Sequence, residues 1–394
     1  MKSHDVIIIG GGPGGSTAAA ILARKGVDVA IIEREPFPRF HIGESLLPAS
    51  MVVFKASGFY ETLSSGKYIE KYGARFVDHK TDDEIYFGFN DSLNADIPMA
   101  FEVERSKFDK DILEHACRSG AKLYQPENVL AAESDAEGVS IQTDKDEYRA
   151  KYLIDVSGRD SFIGKKHQMR QVNKDLNNVA VFAHYKGVKR QKGKDEGDIT
   201  IGLLPDRAWT WIIPFKGEVT SVGVVCTSSL FNGEKDLGAY LEGRLKSSPR
   251  IARAMEHAER ISDITTIGNY SHTCDTFYGD RWMLAGDAAL FLDPIFSSGV
   301  HMSVSSSKLA AETLLELLPS LGSVKESGLG RKYEDHVRLG ASRFKNLIGL
   351  FYQGEFVDQM KKTLTRDHLR RGFTSAVAGD VWDEKNFLFH RGVL

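Results

Sequence analysis

Val6-Ile7-Ile8-Ile9-Gly10-Gly11-Gly12-Pro13-Gly14-Gly15-Ser16 decides the fold, and the small-residue run Thr17 to Ala23 follows it. Four consecutive β-branched residues read as a buried parallel strand. Gly10, Gly12 and Gly15 then fall on the G-x-G-x-x-G template where that strand passes into a helix. Gly10 makes the tight turn, Gly12 lets backbone amides approach a pyrophosphate, and Gly15 lets the helix pack close to the strand. Pro13 and Gly14 lie inside the same turn, and the positive end of the helix faces the anion. A second strand, Asp28-Val29-Ala30-Ile31-Ile32, ends in Glu33, the acidic residue about 20 positions on that such sites use for a ribose hydroxyl. The chain is expected to open as a dinucleotide-binding α/β domain.

The bulk numbers agree with an ordinary globular chain. Its 394 residues, 42% hydrophobic and 27% charged, allow two sub-domains or one elaborated domain. A net charge of −3 argues against a nucleic-acid binder held by bulk electrostatics. Cys117, Cys226 and Cys274 are widely spaced, so neither a disulfide framework nor a metal site is expected. The first apolar run is the strand itself and no stretch is long enough to span a membrane, so a cytoplasmic home is the expectation.

Beyond Glu33, the loop Arg34 to Pro48 is rich in proline, charge and glycine and is expected to line the cofactor, with Arg39 the phosphate or ribityl candidate. Residues 50 to 66 read as a helix; Tyr68 to Phe76 and Glu84 to Phe89 alternate as strands. Lys71 lies in the first of these, where pattern alone makes a solvated lysine. Ser106 reads as the N-cap of a helix running to about Ser119, with Asp109 three residues on and Arg105 just ahead, able to point back at the cofactor. Short strands over 121 to 153 lead to Asp155-Val156-Ser157-Gly158. From about 160 to 270, Val179 to Tyr185, Asp198 to Leu204, Ala208 to Pro214 and Thr220 to Cys226 suit a mostly antiparallel sheet, with an exposed loop over Lys186 to Asp198. Trp209 and Trp211 share one strand face. A final strand, Trp282 to Ala285, turns through Gly286-Asp287 and enters a helix ending near Leu318. There Ser298-Gly299 gathers amides and a positive dipole at one point, fit for a flavin edge or a small anion. The last 75 residues read as helical, with Lys361, Lys362, Arg366, Arg370 and Arg371 on a solvated basic face.

Three motifs in order, Gly10 to Gly15 with Glu33, Asp155 to Gly158, and Gly286-Asp287, resemble the flavoprotein monooxygenase and glutathione-reductase-like FAD superfamily. That resemblance implies FAD, with Glu33 on the adenosine ribose, Arg39 and Arg105 near the phosphates and ribityl chain, and Asp287 on the ribityl; Glu44, Ser45, Pro294, Gly299 and Val300 complete the cofactor set. Trp209-x-Trp211-x-Ile213-Pro214 and Gly43-Glu44-Ser45-x-x-Pro48 resemble two signatures of flavin-dependent halogenases. Lys71, five residues before Phe76, falls where these enzymes carry their essential lysine. By this resemblance, reduced FAD supplied in trans by a separate NAD(P)H-dependent flavin reductase meets O2 to give a C4a-hydroperoxide. Chloride or bromide, seated at Ser298-Gly299, becomes hypohalous acid and passes along an internal tunnel to Lys71, which delivers it to an aromatic ring. The implied layout is an FAD-binding part over 1–75, substrate-domain strands over 76–100, FAD-binding parts over 101–160 and 276–320 around a β-sheet substrate domain at 161–275, and a helical region over 321–394.

One departure narrows the branch. Free-tryptophan halogenases carry a glutamate two residues before the Thr/Ser-Gly pair, where this chain has Phe296. The Asp293 to Val300 stretch looks more like the branch acting on phenols and pyrroles, often tethered to a carrier protein, as part of antibiotic and other secondary metabolism. The alternatives are an FAD-dependent aromatic monooxygenase and a geranylgeranyl-reductase-like oxidoreductase, neither of which requires Lys71 or the Trp209 to Pro214 strand.

Overall fold

The computed structural model describes residues 1–173, 176–231, 234–268, 271–354, 356–390 and 394. Lys2–Ile9 lies in the middle of the first sheet, flanked in parallel by Val29–Ile32 and Glu147–Asp155. Lys122–Tyr124 and Trp282–Leu284 extend the parallel part, and an antiparallel hairpin, Val129–Ser134 with Val139–Thr143, completes it. Val6, Ile7 and Ile8 are wholly buried because helices or strands cover both faces, as a continuous β-branched run requires.

The helix Pro13–Ala23 leaves this sheet with Gly12 as its N-cap and Pro13 at its first position, where the missing N–H costs nothing. It lies against the 20-residue helix Ser298–Leu317. A Cβ on Gly14 would sit 2.4 Å from the Ser303 Oγ and 2.7 Å from the Ser307 Oγ, so the helices approach through a glycine. Gly10 has φ of +103°, and a Cβ on Gly15 would lie 2.0 Å from the Gly10 carbonyl oxygen.

The second sheet runs Glu259–Arg260, Asn178–Lys186, Thr220–Thr227, Trp209–Pro214, Ile199–Leu203, Gly73–Val77, Glu84–Gly88, with Thr265–Gly268 also on Asn178–Lys186. Its pairings are antiparallel except Gly73–Val77 with Ile199–Leu203. The α/β expectation holds: a Rossmann-like sheet, a mostly antiparallel second sheet and a helical C-terminal region of Leu329–Tyr352, Phe356–Thr363, Asp367–Val377 and Phe387–His390.

Several local expectations are corrected. The helix expected over 50–66 is two, Pro48–Ser57 and Tyr60–Leu63, because Gly58 takes a left-handed φ of +80° between them. The strand expected over Tyr68 to Phe76 is also two. Ile69–Lys71 pairs with Ala100–Glu102, and Gly73–Val77 joins the large sheet. The break falls at Tyr72, where the Asp198 carboxylate accepts hydrogen bonds from the Tyr72 and Gly73 amides, both at 2.8 Å. Ser106 is not an N-cap: the helix Arg105–Arg118 begins after Glu104, and the Ser106 hydroxyl donates to the Glu104 carboxylate instead. The basic C-terminal residues fall on two helices rather than one face, and Lys361 and Arg370 are paired with Asp83 and Asp91.

Candidate functional site

A cavity of about 480 Å³ lies between the two sheets. At one end it is lined by Gly10, Gly12, Pro13, Gly14 and Glu33, and at the other by Asp287, Pro294, Gly299 and Val300. A Cβ on Gly12 would meet only the Arg39 guanidinium, at 3.6 Å, and so would point into the cavity, whereas one on Gly11 or Gly14 would meet protein at 3.3 Å or less. Glu33 is 5% exposed, its carboxylate accepting from the Gly11 amide at 2.7 Å and the Glu35 amide at 2.8 Å. Free helix amides, an opening at Gly12 and a fixed carboxylate beyond suit the pyrophosphate and ribose of a dinucleotide.

Both expected arginines line this cavity, but neither is free. Asp109, fully buried, accepts from the Arg105 Nε at 2.6 Å and the Arg105 Nη2 at 3.0 Å, and it faces the Arg39 Nη1 at 3.5 Å. The Arg105 Nη1 donates to the Ile42 carbonyl at 2.6 Å, fixing the loop that carries Gly43. Asp109 was expected only as part of a cap. The available signal was its position four residues after Arg105 on one helix, the spacing of an ion pair.

At the far end, burial raises the Asp287 carboxyl to about 6, against the opposing pull of Arg105 and Arg159. Gly286 has φ of +58°, and Ser297 caps the helix Ser298–Leu317 with φ of +55°. Ser297 and Gly299 line the cavity, whereas Ser298 is buried and is not among the lining residues.

Lys71 is 1% exposed, contrary to the solvated lysine that strand pattern suggests. Its ammonium donates to the Ser45 Oγ at 2.8 Å and to the Leu46 carbonyl at 3.1 Å, and lies 5.4 Å from the Phe89 ring centre. The loop Gly43-Glu44-Ser45 is pinned over it. The Val103 amide donates to the Glu44 carbonyl, the Leu46 amide to the Phe101 carbonyl, and Ser45 bridges Glu102 in antiparallel fashion. Ser45 lines the cavity, so Lys71 stands one hydrogen bond behind its wall, not within it. Lys71 itself is not among the residues that line the cavity.

Glu102 was not singled out from sequence, because a glutamate in a three-residue strand carries no pattern. In the register of Ile69–Lys71 with Ala100–Glu102 it is the diagonal same-face neighbour of Lys71. Its Oε1 lies 4.0 Å from the Lys71 Nζ and accepts from the Ser45 hydroxyl at 3.1 Å. Burial lowers the Lys71 amine from its ordinary value, partly offset by Glu102 and Asp198. Burial also lifts Glu102 to about 8, with Lys71 pulling the other way. Glu44 accepts from, or pairs with, the His184 Nε2 at 2.9 Å.

Trp209, Trp211 and Ile213 all line the cavity, as alternate residues of one strand face. The Trp211 indole donates to the Ser221 hydroxyl at 3.0 Å, and the Trp209 indole to the Tyr352 hydroxyl at 3.0 Å. Pro214 closes that strand opposite Thr220. Phe296 stands in an aromatic cluster with Phe76, Phe351 and Phe356, ring centres 5.8 to 6.3 Å away. The position of the missing carboxylate is therefore apolar. Among the described residues no helix is long and apolar enough to cross a membrane and no group of side chains could hold a metal ion.

Residues 3–336 match the family model described as FAD binding domain. The chain is 32% identical over 382 residues to the 1H-pyrrole-2-carbonyl-[peptidyl-carrier protein] chlorinase of Pseudomonas fluorescens, covering 90% of this chain and 85% of that protein. It is 32% identical over 326 residues to the corresponding brominase of Pseudoalteromonas luteoviolacea, covering 81% of this chain and 79% of the relative. The solved structure of the flavin-dependent brominase Bmp2 superposes with a TM-score of 0.89 at 29% identity, over 100% of this chain and 98% of that one.

Proposed function

This chain belongs to the flavin-dependent halogenases and binds FAD, and from that premise we propose that it halogenates an electron-rich aromatic ring, a phenol or a pyrrole, through Lys71. The observation that carries the reading is the burial of Lys71 one hydrogen bond behind the cavity wall. Desolvation lowers the proton affinity of an amine, and the neutral amine is its nucleophilic form.

Bound reduced FAD supplies the electrons with which O2 oxidises chloride or bromide to hypohalous acid. Within the protein, the Gly10 to Gly15 turn and Glu33 hold the adenosine side, Arg39 and Arg105 the diphosphate and ribityl chain, and Asp287 the ribityl hydroxyls. Glu44, Ser45, Pro294, Gly299 and Val300 close around the flavin end, and the amides at Ser298-Gly299 seat the halide. Trp209 and Trp211 form a wall that keeps the aromatic substrate away from the flavin, while Pro214, on the opposite face of the strand, closes its end. Lys71 takes the hypohalous acid, as a hydrogen-bonded species or as a haloamine, and presents its halogen to the ring, so that a strong oxidant acts at one place.

Phe296 and its aromatic neighbours support a ring reactive enough to need no second carboxylate. The carrier-bound pyrrole acted on by two of the relatives makes an acyl or peptidyl carrier protein a reasonable partner, alongside a separate flavin reductase. The test is an aerobic assay with FAD, a flavin reductase, NADH and chloride or bromide, scoring product mass on free phenols and on carrier-bound pyrrolyl and tyrosyl groups. Product is expected from the wild-type protein and none from Lys71→Ala, with FAD affinity unchanged. Hydroxylated product, or halogenation that survives the substitution, overturns the reading.

A further inference from the structure

We propose that Glu102 is the proton store of Lys71, exchanging one proton with its nitrogen through the Ser45 hydroxyl, so that Lys71 accepts halogen as a neutral amine and releases it from a protonated N-halo amine. This deepens the Lys71 reading above and rests on it. The hydrogen-bond chain is continuous: the Lys71 Nζ donates to the Ser45 Oγ at 2.8 Å, and the Ser45 Oγ donates to the Glu102 Oε1 at 3.1 Å. The direct Nζ to Oε1 distance of 4.0 Å is too long for a hydrogen bond, so the serine is the path. Lys71 and Glu102 are each 1% exposed.

Glu102 and Asp198 act on this amine and Glu44 acts on Glu102, and of the three carboxyls Glu44 and Asp198 have other basic partners. Glu44 is paired with His184 at 2.9 Å. Asp198 accepts from the Tyr72 and Gly73 amides and faces the Arg75 guanidinium at 3.9 Å. Glu44 Oε2 and Asp198 Oδ2 share with Glu102 Oε2 the lack of a hydrogen-bond partner, but each of those two carboxyls has a basic group other than Lys71 beside it, whereas Glu102 has only the Ser45 hydroxyl, on Oε1. A carboxylate oxygen left in that state is costly, whereas a protonated carboxyl tolerates it. The like charges of Glu44 and Asp198 push the same way, and Glu102 is lifted to about 8.

The steps balance with hypohalous acid as the sole oxidant. The neutral Lys71 nitrogen bonds the halogen as the oxygen–halogen bond breaks, and the leaving hydroxide takes a nitrogen proton to become water. The Glu102 proton then passes through Ser45 to the N-halo amine. The halogen moves to the ring carbon, the nitrogen keeping the N–X electron pair and becoming neutral amine again. The proton displaced from the ring returns through Ser45 to Glu102. An N-halo amine is a poor halogen donor until protonated, which is the reason to keep a proton beside it.

Two measurements test this. In FAD-free protein labelled with 13C at lysine Cε and glutamate Cδ, and assigned with Lys71→Ala and Glu102→Gln, the two side chains are expected to show shared titration steps. Lys71 should titrate below its ordinary 10.5 in the wild type and fall a further tenfold or more in proton affinity in Glu102→Gln. An independent Lys71 titrating near 10.5, or one unmoved by Glu102→Gln, overturns the proposal. In the complete assay the wild-type rate should decline above about pH 8 as Glu102 loses its proton. Glu102→Gln should be slowed about 100-fold and lack that decline, with Glu102→Asp partly restoring both. Halogenation that survives Lys71→Ala removes the underlying reading. An inactive Lys71→Ala beside a Glu102→Gln of wild-type rate and pH profile removes the proton store alone. Should Glu102→Gln fail to fold, the wild-type titration and Glu102→Asp still decide the matter.

Discussion

At the scale of single residues, the site is governed by charges that the protein has fixed before any ligand arrives. Asp109 holds Arg105 by two hydrogen bonds and faces Arg39, so one buried carboxylate aims both cations at the cavity. Asp109→Asn removes the carboxylate bound to Arg105 and leaves Arg39 facing only Glu35, at 3.8 Å, and losing one partner of a buried pair costs about 3–5 kcal/mol. That variant is expected to lose about 3 kcal/mol of stability in urea unfolding and to bind FAD about tenfold more weakly by fluorescence titration. Wild-type values in both would mean that the arginines are held by Ile42 and Glu35 alone. Arg39 and Arg105 were legible in the sequence as candidates, but not the residue that orients them. Lys71 shows the same gap from the other side. Its residue pattern reads as surface, because alternation cannot reveal that the Glu44 to Leu46 loop lies over a strand of three residues. Only the likeness of its position to a known family drew attention to it.

At the scale of elements, the glycine-rich turn separates two duties that its sequence runs together. A Cβ on Gly12 would point into the cavity and meet only Arg39, at 3.6 Å, while a Cβ on Gly14 would fall 2.4 to 2.8 Å from Ser303, Ser307 and Val156. Gly12→Ala is therefore expected to weaken FAD binding with little change in the stability of the FAD-free protein. Gly14→Ala overpacks the contact between Pro13–Ala23 and Ser298–Leu317 and should cost about 1–3 kcal/mol of stability, part of it recovered by adding Ser303→Ala. Equal effects of the two substitutions on stability would remove this division. Long, strongly patterned elements such as Lys2–Ile9 and Trp209–Pro214 were legible because burial on both faces, or on one, writes itself into the residue types. The misreadings fell at breaks made by tertiary contacts: Asp198 capping the amides of Tyr72 and Gly73, and Gly58 turning left-handed. A pattern window averages across such points.

At the scale of the whole molecule, the helical C-terminal region is tied into the second sheet and the turn that precedes Ser298–Leu317 by one buried carboxyl. The Asp293 Oδ2 accepts from the Asn178 amide at 3.0 Å and the Tyr352 hydroxyl at 3.1 Å, its Oδ1 accepts from the Ile295 amide at 3.1 Å, and Tyr352 in turn accepts from Trp209. Burial lifts Asp293 from the ordinary 3.8 to about 6 in spite of these donors. Between about pH 4 and 6 the unfolded chain has released this proton while the folded protein retains it. The stabilising contribution is thus fully present below about pH 4, is lost as pH rises through 6, and is constant above that, amounting to about 3 kcal/mol for a shift of two units. Asp293→Asn cannot titrate, so the stability of the wild type relative to this variant should fall by about that amount between pH 4 and 6 in urea unfolding of the FAD-free protein. His41, His301, Asp287 and Asp380 also titrate away from their ordinary values, but they do so in both proteins and cancel in the difference. Parallel stability curves would show that Asp293 is charged in the folded state. In that case the junction of the C-terminal helices with the Trp209 strand is an ionic tie, and Tyr352→Phe should weaken it more at neutral pH than in acid.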